Sequence, residues 1–119
     1  MIEQRILAIG LAVLALAGCA NDPAPVEQLR LTEQAVAQAR AVGANSEQLP
    51  EMKQAEEKLA LAQKNMGEQD YKRARVLAEQ AELDARLAES KVLTAKSKAQ
   101  LADITARINR LRKQLGELQ

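Results

Sequence analysis

Four stretches of this chain carry a hydrophobic pattern, and turn-forming residues separate them. Residues 6–16 (ILAIGLAVLAL) form an unbroken apolar run. From residue 26 the spacing becomes helical, with Leu29, Val36 and Ala39 on one stripe and Leu31, Ala35 and Val42 beside it. Gly43 stands where a helix C-terminus needs a left-handed residue, and residues 43–49 read as a loop. Pro50 suits the first turn of a second helix, with Glu51 at its positive end. Met52, Ala55, Leu59, Ala62 and Met66 then fall at spacings of 3, 4, 3 and 4, which is one helical face. Gly67 marks the end of that helix, and Asp70 is an N-cap for a third. The spacing predicts helices over 26–42, 50–66 and 71–116. At 1.5 Å per residue the third is a rod of about 70 Å, against about 25 Å for each of the others.

The third helix carries two stripes. One reads Val76, Gln80, Leu83, Leu87, Ser90, Thr94, Ser97, Leu101, Ile104, Ile108, Leu111, Leu115 and Leu118, a heptad seam with a polar middle. The other is nearly all alanine: Ala74, Ala78, Ala81, Ala85, Ala88, Val92, Ala95, Ala99, Ala102 and Ala106. A helix apolar on two sides lies between neighbours, and two short helices can cover only about the first half of this one. The expected fold is all-α: two short helices packed as an antiparallel bundle on one long third helix whose C-terminal half is coiled-coil-like. Continuity through Ser90, Thr94 and Ser97 stays open. A thin alanine core with no disulfide implies marginal stability for a lone copy.

Composition removes whole classes of function. Of 119 residues none is His, Trp or Phe, and there is one Tyr and one Cys. The usual metal clusters and the nucleophiles that depend on His are therefore absent, as is an aromatic platform for stacking bases or sugars. Glu56 and Glu57 fall on different helix faces, and an alanine-rich core leaves little room for a pocket. No enzymatic activity, no cofactor, no metal, no small-molecule substrate and no nucleic acid are expected. Net charge is +1, yet it is unevenly spread. Residues 20–70 hold 5 basic and 9 acidic side chains, and residues 71–119 hold 11 and 6. Lys98, Arg107 and Arg112 flank the seam formed by Leu101, Ile104, Ile108, Leu111, Leu115 and Leu118. In a parallel homodimer Arg107 would face Arg112 of the other copy. The seam therefore asks for an acidic helix, from another copy or another protein; a solvated basic face is the plain alternative. The same cations also suit an anionic lipid surface or wall polymer.

The 6–16 run is too short to span a bilayer and has the length of a secretory signal's apolar region. Leu16, Ala17, Gly18 and Cys19 follow it and resemble the lipobox of bacterial lipoproteins. The resemblance implies removal of residues 1–18, with Leu16, Ala17 and Gly18 as the signal-peptidase recognition residues and a covalent lipid on Cys19. Two or more acyl chains hold a protein stably on a membrane. Ala20, where Asp would imply inner-membrane retention, implies the periplasmic face of the outer membrane. Residues 19–25 then form a Pro-rich tether and residues 26–119 the helical domain.

Gly67, Tyr71 and Ala74, followed by Ala78 and Ala81, are similar to the turn of a tetratricopeptide hairpin. With one such hairpin, the reading is local packing, with Tyr71 plugging the turn. Together with the lipobox, the tether, AVAQARAVGA and the long segment from LPEMKQ to RLAES, these residues resemble the small envelope lipoproteins of domain-of-unknown-function family 4398, over about residues 26–99. Leu49 stands where that family usually has an aromatic. The resemblance implies a structural role between outer membrane and cell wall, with a protein partner such as a peptidoglycan-binding protein of the outer-membrane-protein-A type. The major murein lipoprotein has a similar design but ends in a Lys linked to peptidoglycan, a link not expected after Gly116-Glu117-Leu118-Gln119. The expected function is a helical spacer or adaptor docking its tail on another envelope protein; the alternative is a structural lipoprotein forming coiled-coil homo-oligomers.

Overall fold

The computed structural model describes residues 22–117. Three α-helices make up the fold: α1 Val26–Ala41, α2 Pro50–Gly67 and α3 Tyr71–Glu117. Among the described residues there is no strand. The all-α architecture read from the sequence is present, with two short helices packed against one long one. α3 runs without a break through Ser90, Thr94 and Ser97, which closes the question of continuity.

Cross-helix bonds set the directions. Arg75 Nη2 donates to the Pro23 carbonyl (3.1 Å), Gln28 Nε2 to Glu82 (2.8 Å) and Lys96 Nζ to the Val42 carbonyl (2.6 Å). α1 therefore runs parallel to α3. Glu51 meets Lys91, and Lys58 meets Asp84 at 2.6 Å, so α2 runs antiparallel to both. The first described residues sit beside the start of α3, and the end of α3 projects from the other end of the bundle.

The turns follow local chemistry. At the end of α1, Gly43 has φ +101°. The Ala44 amide reaches back to the Ala39 carbonyl and the Gly43 amide to that of Arg40, both at 2.9 Å, a Schellman closure that satisfies carbonyls the helix leaves open. Space is not the reason for glycine there, since an added Cβ would meet nothing nearer than Lys96 Nζ at 3.9 Å; the backbone angle is. α2 closes the same way with a different residue in the strained place. Gly67 is still helical, and Gln69 takes the left-handed conformation at φ 63° while the Asp70 amide bonds the Asn65 carbonyl at 2.9 Å. The glycine thus stands two residues before the position that would use its freedom. Asp70 then caps α3, its Oδ1 accepting from the Arg73 amide at 3.2 Å. Tyr71 beside it is half-buried.

Packing uses the alanine stripe. Ala74, Ala78, Ala81, Ala85 and Ala88 of α3 are all fully buried; Met52 and Ala55 of α2 and Ala35, Val36 and Ala39 of α1 cluster with Ala85 and Ala88, and Leu29 of α1 and Ala62 of α2 cluster with Ala78. Burying five methyl groups contributes only about 0.8 kcal/mol each. Their greater effect is to let the helices approach until a side chain reaches a neighbour's backbone. The hydroxyl of Thr32, itself fully buried, lies 2.8 Å from the Gln28 carbonyl and 2.9 Å from the Ala78 carbonyl of α3. One proton serves both acceptors.

Candidate docking surface on the long helix

α1 and α2 both lie on the alanine side of α3, so the seam on the nearly opposite side is bare along its length. This corrects the expectation that a helix apolar on two sides would have its first half covered on both. Val76, Leu83 and Leu87 are 45%, 67% and 47% exposed although they lie level with the bundle. The physical reason is size: alanines admit a close neighbour on each side of their stripe, and once both short helices are seated there nothing of the chain is left for the opposite face.

Beyond Lys96 even the alanine stripe is uncovered. Leu101, Ile104, Ile108, Leu111 and Leu115 are all 43% exposed or more, in a region where every described residue is exposed. The structure thus places these five on one face of one helix, about 45–66 Å along α3 from Tyr71. Leu118, also assigned to the seam, lies outside the described residues, as do Leu16, Ala17, Gly18 and the lipidation candidate Cys19.

Electrostatics divide the rod the same way. In the bundle some charges pair within a helix, as Arg86 does with Glu82, and others pair between helices: Arg40 with Glu56 at 2.8 Å, Lys58 with Asp84, and Lys91 with Glu51. The Arg86 guanidinium, then the Gln28 amide, hold the Glu82 carboxyl below the usual carboxylate range. Lys91, then the backbone at Glu51, do the same for Glu51. On the tail the pairs stay within the helix, Arg107 with Asp103 at 2.9 Å and Lys113 with Glu117 at 4.0 Å. Such exposed pairs are worth less than about 1 kcal/mol.

One shallow open hollow is lined by Ser90, Lys91, Thr94, Ala95 and Lys98, and another by Ser46, Glu47, Lys53, Glu56 and Glu57. In the second, Glu56 is engaged by Arg40 and Glu57 lies 3.9 Å from Lys53. Among the described residues no group of three or more Cys, Asp or Glu could hold a metal ion, and no helix is long and apolar enough to cross a membrane.

The sequence pattern passed over two buried polar residues. Thr32 falls 3 after Leu29 and 4 before Val36, so its place on the buried stripe was visible in the spacing. Asn65, 8% exposed, donates to the Leu61 carbonyl at 2.7 Å and had no comparable signal.

The family described as a domain of unknown function, DUF4398, matches residues 27–104. The chain belongs to the DUF4398 family. Its bundle and the first heptad of the tail seam lie inside the match; Ile108, Leu111 and Leu115 lie beyond it. A crystal structure of a DUF4398 family protein from Pseudomonas aeruginosa PAO1, at 2.47 Å resolution, is similar to this DUF4398 chain. The two are 62% identical, the match covers 82% of this chain and 100% of that one, and the TM-score is 0.78. No curated protein matches.

Proposed function

We propose that this protein is a non-enzymatic, lipid-anchored spacer of the cell envelope. Cys19 carries the lipid on the periplasmic face of the outer membrane, and the α3 tail docks on a periplasmic or peptidoglycan-associated protein. The observation that carries the reading is the polarity of the rod. The Pro23 carbonyl is tied to Arg75 near the start of α3, so the first described residues lie at the end of α3 far from the tail part of the seam, Leu101 to Leu115. An anchor at one end and an apolar, cationic face about 45–66 Å away is what a spacer requires.

The test has two arms. Cys19→Ala should move the chain out of the outer-membrane fraction; retention there would sink the anchoring. A photocrosslinking residue at position 105, beside the seam, should join the tail in living cells to one defined envelope protein. Capture of nothing but the chain itself would instead favour a self-assembling structural lipoprotein.

A further inference from the structure

The bare seam needs an occupant, and its chemistry narrows the choice. We propose that it takes an amphipathic helix of a different protein, one with carboxylates where it meets Arg107 and Arg112, and that it rejects a second copy of this chain. The proposal deepens the anchored-spacer reading and rests on it at one step, that copies in one membrane lie parallel.

The apolar part is plain. Five large side chains from Leu101 to Leu115, none less than 43% exposed, recur at heptad spacing over about 21 Å, the length of a 15-residue partner helix. Charge decides what may flank that partner. Arg107 and Arg112 lie on opposite edges of the seam, at the spacing that meets across a parallel pair of helices. Parallel copies would therefore set Arg107 of each against Arg112 of the other. Asp103 pairs with Arg107 within one helix, with both side chains more than half exposed, and does not stand between the copies.

The acidic half of another copy cannot supply the helix. The apolar faces of α1 and α2 are already used: Val36, Met52, Ala55 and Ala62 are 2% exposed or less. An antiparallel pair of tails would separate the arginines, since Arg107 would then face Gln114. It would also put the two Tyr71 ends about 115 Å apart on one rod, which chains anchored in a single membrane cannot adopt. A foreign acidic-flanked helix satisfies the apolar layers, the charges and the anchor together.

The test uses the lipid-bearing full chain in vesicles of phosphatidylethanolamine and phosphatidylglycerol, with a photocrosslinker at position 105. The probe is a second full chain carrying Lys98→Glu, Arg107→Glu and Arg112→Glu, which keeps every apolar layer and reverses its flanks. Mixed chains should crosslink at least about tenfold more than either chain alone, and raising salt should weaken the product. Adding Ile108→Asp to the probe should abolish it while the probe's melting is unchanged. Wild-type chain that crosslinks to itself as strongly as the mixture would overturn the proposal. So would a mixture that fails to pair while both chains remain fully helical by circular dichroism. A chain that does not float with vesicles fails the anchoring reading, a result read separately from the crosslink, and the exclusion of a second copy falls with it because unanchored tails can pair antiparallel.

Discussion

Residues 71–92 and 93–117 of α3 belong to one unbroken helix and continue the same two stripes, yet they are opposites in what they bury. In the first segment five alanines are sealed to zero exposure; in the second, Ala95, Ala99, Ala102 and Ala106 repeat the spacing and every residue is exposed. Periodicity therefore states which face of a helix can be covered, and the lengths of the neighbours decide how far covering goes. The larger side chains lie on the bare face, because the covered one selects for closeness rather than for bulk.

The sharpest way to break that comparison is amide hydrogen exchange. Amides near Ala81 should open only with the whole bundle, whereas those near Ile108 should open by local fraying, on the order of a thousandfold faster. Equal protection in the two segments of an isolated copy would mean that the tail is covered after all, and a partner helix should slow the tail alone.

Substitution gives the next largest contrast. Ala78→Leu forces a larger side chain into the face where the Thr32 hydroxyl already reaches the Ala78 carbonyl, and should cost about 1–3 kcal/mol in denaturant unfolding. Ala102→Leu on the same stripe should change stability by less than about 0.5 kcal/mol. Similar losses at both positions would contradict the division of the helix.

The two helix ends make a matched pair. Gly43→Ala should destabilise by about 1–2 kcal/mol because it places a Cβ at φ +101°. Gln69→Gly should stabilise by up to about 1 kcal/mol, relieving the residue at φ 63°. This pair also shows what the sequence could and could not disclose. Gly43 was legible because glycine fell where the stripe of α1 ended. Gln69 was not, because Gly67 offered a more conspicuous stop and only the closure of Asp70 onto Asn65 locates the strained residue. The alanine stripe and the Leu/Ile seam were both legible as faces. Which of them α1 and α2 would choose was not, since that choice follows from packing in three dimensions, as do the partners of Lys58 and Lys91.

The smallest effect concerns pH. Glu82 and Glu51 are held below the usual carboxylate value of 4.5 by Arg86 and Gln28 in one case and Lys91 in the other. Their stabilisation is complete above that value and is lost as pH falls through their lowered folded values. Melting should weaken below about pH 4, and Glu82→Gln should flatten part of that decline. An unchanged acid limb in this variant would place the titrating groups elsewhere.

Because α1 and α3 run in the same direction, tension applied between the N-terminal side of Pro23 and the far tip of α3 does not peel one helix from the other. It slides them. The contacts at Arg75, Gln28, Thr32 and Lys96 lie side by side along the line of pull and must give way together, so the bundle resists as a lap joint rather than as a zipper. The alanine face, thin as a thermodynamic core, is the adhesive of that joint, and the rate at which it fails under load is set by the unfolding barrier and not by the equilibrium stability.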